Sequence, residues 1–389
     1  MNLFLGNFDF EHHLGRSGPR VLPAQIRRLN NEMAFSLTAL AEPGDCVWTP
    51  ELPETEFAQH LVAIGLAAAR FVDRAEDVPR GAVLFPWGWC KSAVDFGAAH
   101  GCKCDHPDLS AVAKANSREF SSGLEAKWDV GLPGARAIRT SSELDLVFSD
   151  AAKLPGGWVI KADFGMSARE RIVGRSAPHH NQVEWARRHL QRGEPIFFEP
   201  WVESVAEFGC QFSVLPSGKL LLEGITGLLT DAQGTFRGSR LSATESGLSH
   251  LLEPSALEIV KRAAQRVQQL GYFGPLGIDV MQYRTSEGEI RWRPLQDLNA
   301  RLTMGRVALG LRRLLKPGEW ADWLHLGVST AAFKANREKM AILLRDLATD
   351  ARLVRTSPLK VGDAPTGHET ALIIVHSPQV LDVVFATIR

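Results

Sequence analysis

Oxygen-rich side chains stand on two apolar segments within residues 277–301. Asp279 lies on the first segment, and Asp297 and Asn299 lie two residues apart at the end of the second. Because side chains alternate along a strand, Asp297 and Asn299 project to the same face. Mg²⁺ prefers hard oxygen ligands and usually keeps phosphate oxygens as well. We therefore predict a metal site here that also holds phosphates, with Arg301 in reach of a phosphate or an acyl phosphate. The alternative is an ordinary solvated hairpin.

A second candidate is a lysine at the end of an apolar segment. Lys161 closes the segment 158–162, and a loop of small residues that contains Ser167 follows it. Backbone amides of such a loop can bind phosphates, and the ammonium adds a point charge. The loop is not a Walker A motif, because the chain has no G-x-x-x-x-G-K-[ST] pattern. The alternative is a surface lysine.

A third candidate is the linker between two long apolar segments at residues 196–208. Its extended backbone around Glu199, Trp201 and Val202 exposes N–H and C=O groups that can pair with an adenine edge. A carboxylate a few residues later, Glu207, can accept from ribose hydroxyls. The alternative is an edge strand with surface glutamates.

The order of these elements resembles that in the ATP-grasp superfamily. Gly277-Ile278-Asp279-Val280-Met281 resembles the strand of D-alanine–D-alanine ligases that carries the first metal carboxylate. Asp297-Leu298-Asn299-Ala300-Arg301 resembles the E-x-N-x-R of biotin carboxylases. Asn116-Ser117-Arg118-Glu119-Phe120 resembles the helix start where the family often has a phosphate-binding lysine. The resemblance covers about residues 80–310.

The resemblance implies a ligase that uses ATP and Mg²⁺, with Mn²⁺ as an alternative metal. A substrate carboxylate would attack the γ-phosphate, and an amine, thiol or other nucleophile would then attack the acyl phosphate, releasing ADP and phosphate. Lys161 and Arg118 would contact the α- and β-phosphates, and Arg301 would stabilise the transferring group. The partners are then small-molecule carboxylates and nucleophiles. Two alternatives stay open: a phosphotransferase on the same fold and a nucleotide-binding protein without catalysis.

Four positions depart from the family pattern. Asp297 stands where the family has a metal-bridging Glu, which motivates the non-catalytic alternative. Ile278 replaces a basic residue of D-alanine ligases, and Arg118 preserves the charge but not the shape of Lys. Pro294 lies within the last predicted strand, which favours an edge strand or a bulge.

A loop before the hairpin carries Arg237 and Arg240 among glycines and serine. In ATP-grasp enzymes a loop here often brings a basic residue to the γ-phosphate. We predict a mobile lid that hinges at Gly234 and Gly238, with both arginines as catalytic residues. The alternative is an ordinary polar loop.

The elements around these motifs predict an α/β plus α+β architecture. Short apolar segments at 3–5, 46–48, 70–72 and 82–85 alternate with helical patterns in residues 1–115, which predicts a small, mostly parallel α/β domain. The resemblance implies that this domain is Rossmann-like and precedes the ATP-grasp fold. A helix is predicted from about 108 to 127. Residues 116–310 carry long strands joined by short turns, and the resemblance implies an ATP-grasp domain of two subdomains there. Residues 311–389 predict a C-terminal α/β region, with a helix around 337–347 and a strand at 371–375.

Composition places few other constraints on function. The 389 residues include 44 Lys and Arg and 44 Asp and Glu, so no net charge recruits nucleic acid or an anionic membrane. The five cysteines form no regular framework, so we expect a reducing compartment and a cytoplasmic protein. The sequence is compatible with a homodimer. A zinc site is a weaker hypothesis, because its candidate ligands lack C-x₂-C spacing: Cys90, His100, Cys102, Cys104 and His106.

Overall fold

The computed structural model describes residues 1–15, 23–151, 153–154, 156–165, 170–244, 247–327, 342, 345 and 350–388. The strands are β1 (Asn2–Leu5), β2 (Cys46–Trp48), β3 (Arg70–Val72), β4 (Val83–Pro86), β5 (Arg136–Ile138), β6 (Trp158–Ala162), β7 (Arg171–Gly174), β8 (Ile196–Pro200), β9 (Glu203–Val214), β10 (Leu220–Thr230), β11 (Phe236–Ser242), β12 (Gly274–Arg284), β13 (Ile290–Asn299), β14 (Trp320–Gly327), β15 (Arg352–Arg355), β16 (Lys360–Val361), β17 (Ala364–Pro365) and β18 (His368–Val375). The helices are α1 (Glu11–Leu14), α2 (Ala24–Ala34), α3 (Thr55–Ala63), α4 (Lys91–Ala99), α5 (Leu109–Asn116), α6 (Arg118–Trp128), α7 (Ser141–Ala151), α8 (His180–Gln191), α9 (Pro254–Gln269), α10 (Met304–Leu311) and α11 (Pro378–Ile388). Short 3₁₀ turns cover Phe35–Ala39, Ala75–Asp77, Ser249–Leu251 and Arg312–Leu314.

The N-terminal sheet is parallel, in the order β3-β2-β1-β4. Its strands are short apolar runs because helices and loops cover both faces, and Leu3, Val47 and Leu84 are buried. The four strands predicted for this part of the chain are confirmed. One predicted helix, from about 108 to 127, is interrupted: Ser117 ends α5 and caps α6 by accepting from the Phe120 amide at 3.1 Å.

Residues 136–200 form an antiparallel sheet in the order β5-β8-β6-β7. Its core contains Ile138, Ile160 and Phe198, all buried against α7 and α8. Trp158 is fully buried beneath β7, where a Cβ on Gly174 would lie 2.1 Å from its ring. Glycine is therefore required at 174 by close approach rather than by backbone conformation.

The largest sheet has eight antiparallel strands in the order β13-β12-β9-β10-β11-β14-β18-β15. The predicted strand at 371–375 is confirmed within β18. The sheet continues across residue 310, because β14, β15 and β18 extend it beyond β11. The domain limits stay a prediction, and most of the predicted helix at 337–347 lies outside the described residues.

β13 is an edge strand of this sheet, as Pro294 predicts. The ladder with β12 shifts register between the Asp279–Asp297 and Met281–Arg293 pairs, so Pro294 lies where the strand is irregular. A residue without an amide hydrogen is tolerated there because no ladder bond is lost. This irregular stretch directly precedes the predicted metal ligands.

Two kinds of structural feature are absent from the residues that the structure describes. Within the described ranges, no three or more His, Cys, Asp or Glu side chains form a group that could hold a metal. Likewise, none of the helices that the structure describes combines the length and apolarity needed to span a membrane.

A buried histidine pair predicts acid sensitivity. His325 Nδ1 on β14 lies 3.1 Å from His368 Nε2 on β18. Burial lowers the pKa of His325 well below its ordinary value, and His368 lowers it further. Folded His325 is therefore neutral while the unfolded chain takes up a proton below about pH 6.5, so stability falls as the pH drops.

We expect wild type to lose roughly 1.4 kcal/mol of unfolding free energy per pH unit below pH 6.5 from this group. Urea unfolding at pH 7 and pH 5 measures the loss. His325→Gln should reduce it, whereas His376→Gln, at an exposed histidine, should not. An equal pH dependence in wild type and His325→Gln would disprove this assignment.

Candidate functional site

One cavity of about 270 Å³ is formed between the N-terminal domain, the small antiparallel sheet and the large sheet. The lining has a polar part, which includes Arg118, Lys161, Glu207, Asp279, Asp297, Asn299 and Arg301. It also has an apolar part, made by Phe8, Leu29, Met33, Leu228, Phe236 and Met304. The structure thus brings together seven of the residues that the sequence predicted.

The two predicted metal carboxylates face each other across β12 and β13. Asp279 and Asp297 are direct cross-strand partners, and Asn299 Nδ2 donates to Asp279 Oδ2 at 3.4 Å. Burial raises the pKa of Asp279 to about 8, and the negative charge of Asp297 contributes to the rise. Paired carboxylates of this kind fit a hard divalent cation, because an opposite charge between them would favour their ionised forms. The assignment as metal ligands stays a prediction.

Arg301 is held at the cavity by groups from distant parts of the chain. Its Nε donates to Glu11 Oε1 at 2.8 Å, and its Nη2 donates to Asn299 Oδ1 at 2.8 Å. The Trp87 ring centroid lies 5.5 Å from its Cζ, within cation–π range. Asn299 Oδ1 accepts one hydrogen bond from Arg301, and the second lone pair of this oxygen remains for a metal.

Sequence reasoning missed Glu11, which lines the cavity from α1. Burial raises the pKa of its carboxyl, although Arg301 opposes the shift. Nothing in the local sequence identifies Glu11, because it is an acidic residue in the first turn of a short helix. Its role arises only where α1 meets the end of β13.

Arg118 lies where the resemblance predicts, in the first turn of α6. Its Nη1 is 3.5 Å from Asp297 Oδ1, and its Nε donates to the Ala162 carbonyl at 3.2 Å. Asp163 Oδ1 accepts from the Glu119 amide at 2.9 Å, which ties the helix start to the end of β6. Arg118 and Lys161 are therefore presented to the cavity from adjoining backbone segments.

Lys161 lines the cavity as predicted, but Glu199 does not. Glu199 Oε2 accepts from Lys161 Nζ at 2.7 Å and from Arg293 Nη1 at 2.9 Å. Although burial opposes ionisation, Arg293 and Lys161 hold the pKa of Glu199 well below its ordinary value. The Glu199 carboxylate is therefore directed at these buried cations, and the predicted contact of its backbone with an adenine edge stays a prediction.

The contacts predicted for Trp201 and Val202 with an adenine edge stay a prediction, although one of the backbone groups is already hydrogen-bonded. The Trp201 amide donates to the Gly157 carbonyl at 2.9 Å, so this N–H is not available to a base. The Trp201 ring lies beside Arg175, 5.3 Å from its Cζ, and Val202 packs with Leu132. Neither residue lines the cavity.

Glu207 does face the cavity from β9. Its carboxylate accepts from Thr230 Oγ1 at 3.1 Å and from Gln296 Nε2 at 3.2 Å. Its contact with a ribose stays a prediction. Ser167, in the predicted phosphate loop, lies outside the described residues.

The predicted lid is a regular strand. β11 pairs with β10 on one side and β14 on the other. Arg240 donates to Asp322 at 2.8 and 3.0 Å and also binds Asp382, so it faces acidic residues and does not line the cavity. Arg237 is bound to Asp231 at 2.7 Å. In this structure both arginines are therefore held by acidic residues and do not line the cavity, and the lid and their catalytic roles stay a prediction.

Asn116 is a second residue that sequence reasoning did not assign to the site. Its side chain accepts from the Ala300 amide at 2.9 Å and donates to the Ala300 carbonyl at 3.2 Å. This paired contact fixes the backbone between Asn299 and Arg301. Its sequence signal was its position next to Ser117 and Arg118 at the helix start.

Comparisons with known proteins show similarity of structure. No family model matches the chain, and a search of curated proteins finds no similar sequence. An N5-carboxyaminoimidazole ribonucleotide synthetase in an ADP complex has a TM-score of 0.54 at 13% identity, covering 92% of this chain and 93% of that chain. The synthetase from Thermus thermophilus has a TM-score of 0.53 at 14% identity, with 100% and 97% covered.

The biotin carboxylase domain of the Hydrogenobacter thermophilus 2-oxoglutarate carboxylase has a TM-score of 0.52 at 10% identity. The match covers 98% of this chain and 88% of that one. This domain was solved as a dimer with MgADP, ADP and bicarbonate. At these sequence identities the comparisons establish the fold alone. The roles of the cavity residues have to follow from the contacts in this protein.

Proposed function

From the ATP-grasp fold of this chain, we propose that it is an ATP-dependent ligase. It activates a substrate carboxylate as an acyl phosphate and couples it to an amine or another nucleophile. The observation that supports this proposal most strongly is the Asp279–Asp297 pair, which shares one cavity with Arg118, Lys161 and Arg301. Two acidic groups for a cation and three basic groups for phosphates suit MgATP.

Asp279 and Asp297, with Asn299, would hold Mg²⁺, which when bound screens the charge on the terminal phosphates. Lys161 and Arg118 would bind the α- and β-phosphates, and Arg301 would orient the attacking carboxylate and stabilise the transferring phosphoryl group. Glu207 would accept from the ribose. This assignment needs no nucleophilic side chain, because the substrate carboxylate is itself the nucleophile.

The position of the N-terminal segment beside the cavity supports an acyl phosphate route. The N-terminal domain contributes Glu11 and Trp87 to the cavity, so residues 1–115 cover the charged groups from one side. Restricting water there protects an acyl phosphate from hydrolysis until the acceptor attacks. The division into 1–115, 116–310 and 311–389, and a homodimer, remain proposals.

The apolar part of the lining bears on the substrates. Leu29 and Met33 from α2 and Phe236 from β11 have no role in binding phosphates, and all three line the same cavity. We expect one substrate to carry a hydrocarbon or aromatic portion that these side chains receive. Bicarbonate, which is bound in the Hydrogenobacter domain, has no such portion.

The test is product analysis with MgATP, a carboxylate library and an amine library that span apolar and polar members. ADP, phosphate and a condensed product are expected in equal amounts, because the metal ligands and Arg301 are proposed to act on the terminal phosphates. AMP and pyrophosphate would contradict the acyl phosphate route. A stable phosphorylated substrate without condensation would indicate a phosphotransferase.

Thermal unfolding supplies the binding control for this test. MgATP at about 100 times its dissociation constant should add roughly 2.7 kcal/mol to the free energy of unfolding. The shift should shrink when EDTA removes Mg²⁺. A melting curve that MgATP leaves unchanged would exclude both the ligase and the phosphotransferase.

A further inference from the structure

Four alternating charges are buried behind the cavity wall. Arg293 of β13 donates to both carboxylate oxygens of Glu125 on α6, at 2.6 and 2.9 Å. It also donates to both oxygens of Glu199 on β8, at 2.9 and 3.0 Å. Glu199 accepts in turn from Lys161 on β6 at 2.7 Å. We call this set the Glu125–Arg293–Glu199–Lys161 chain.

The four members join the parts that would hold a nucleotide. α6 begins with Arg118, β6 ends beside the predicted phosphate loop, and β13 carries Asp297. Only Lys161 of the four lines the cavity, whereas the Arg293 side chain is 3% exposed. The chain of charges therefore ends at the cavity and begins away from it.

Stability alone does not account for this arrangement. Removing two carboxylates and a guanidinium from water is costly, and apolar residues of similar volume often stabilise a fold equally well. The geometry is forked on both sides of Arg293, which fixes Glu199 in orientation as well as in charge. This geometry is suited to holding the Glu199 carboxylate in one fixed position.

The charge balance at Glu199 affects the field that the Lys161 ammonium exerts at the cavity. Without Arg293, Lys161 would be the one cation of this set that pairs with the Glu199 carboxylate. The carboxylate would then cancel the charge of the Lys161 ammonium. With Arg293 bound, Glu199 is shared between two cations, and the Lys161 ammonium keeps part of its field at the cavity. Glu125 limits this effect, because it competes with Glu199 for Arg293.

We infer that Arg293 is a positioning residue for the proposed nucleotide site: it holds Glu199 so that the Lys161 ammonium remains available to phosphate groups. This inference rests on the proposed binding of MgATP. It predicts that loss of the Glu125 charge raises the affinity for MgATP, whereas loss of Arg293 lowers it. If these four charges served only the stability of the fold, both changes would shift the affinity for MgATP in the same direction.

Glu125→Gln keeps the shape of the side chain but removes one negative charge, so Arg293 binds Glu199 more fully. We expect the affinity for MgATP to rise by about threefold or more in this variant. The matched control is Glu289→Gln, because Glu289 is exposed and pairs with Arg291, which lies on β13 as Arg293 does. This control should leave the affinity unchanged.

The double variant Glu125→Leu/Arg293→Met removes Arg293 together with Glu125, so that no unpaired Glu125 carboxylate remains, and Glu199 keeps Lys161 as its partner. We expect its MgATP affinity to fall by about tenfold, since Lys161 is then neutralised by Glu199. Arg291→Met is the matched control at an exposed arginine of β13. Affinity for adenosine, which has no phosphate, should change in none of these variants.

Isothermal titration with MgATP and with adenosine decides the matter. Higher MgATP affinity in Glu125→Gln with unchanged adenosine affinity supports the inference. Lower or unchanged MgATP affinity in Glu125→Gln, or wild-type affinity in a folded double variant, overturns it. If the double variant does not fold, Glu125→Gln decides alone. Wild type that binds no MgATP would instead refute the proposed function.

Discussion

Asp279→Asn and Asp297→Asn are each expected to lower turnover by about a thousandfold while the fold is retained. Each change removes a carboxyl group from the cross-strand pair that faces the cavity. Bound MgATP would then lose a carboxylate ligand to its metal, and the terminal phosphates would be less well screened. ADP release from MgATP and a saturating substrate pair measures the effect.

The apo protein should respond in the opposite direction. The pKa of Asp279 is raised to about 8 in the folded protein. The unfolded chain releases this proton already near its own pKa, about 4, so the free energy of unfolding falls as the pH rises from about 4 toward 8. Asp279→Asn removes this loss. We therefore expect this variant to be at least as stable as wild type at pH 8 in the absence of Mg²⁺, as measured by urea unfolding.

Two matched variants complete this test. Glu289→Gln changes an exposed carboxylate on the same hairpin and should leave turnover unchanged. Asp297→Glu introduces the residue that the resembled family uses, and it should retain activity. Near wild-type turnover in Asp297→Asn would show that the hairpin does not hold the metal.

Arg301→Lys is expected to lower turnover by about a hundredfold or more, with a smaller change in MgATP affinity. A lysine keeps the charge but cannot contact Glu11 and Asn299 at once through a planar fork. The loss should fall mainly on kcat, since charge on the transferring phosphoryl group is proposed to grow toward the transition state. Arg313→Lys, at a partly exposed pair with Glu42, is the control.

Arg301→Met should cost about 3–5 kcal/mol of stability, because it leaves the buried Glu11 carboxylate unpaired. Glu11→Gln/Arg301→Met should recover most of that stability but not the turnover. The two readouts separate a structural contribution of Arg301 from a catalytic one. Recovery of both stability and turnover in the double variant would mean that Arg301 acts only as the partner of Glu11.

Local pattern determined a large part of this protein. Strands such as 3–5, 46–48 and 371–375 are predictable because short β-rich apolar runs between turns have few other stable conformations. The period of two along a strand also placed Asp297 and Asn299 on one face before any contact was known. Likewise, Pro294 indicated an edge strand because it lacks a donor for the ladder.

Tertiary structure alone decided which charges are available to a ligand. From the sequence, Glu199, Arg240 and Arg301 were equally plausible site residues. In the structure, Arg240 is bound by Asp322, 82 positions away, and Glu199 by Arg293, 94 positions away. Arg301 meets Glu11 across 290 positions yet still lines the cavity.

The physical reason is that a charge acts through its partners and its exposure to water, and strand periodicity specifies neither. Alternation tells which face of a strand a side chain occupies, but the neighbour on that face comes from another element. Glu125, Arg293 and Glu11 therefore gave no sequence signal, because their roles arise where α6, β13 and α1 pack together. The sequence alone predicted the strand that carries Asp297 and Asn299, and only the assembled sheets and helices decided which cations reach the cavity beside them.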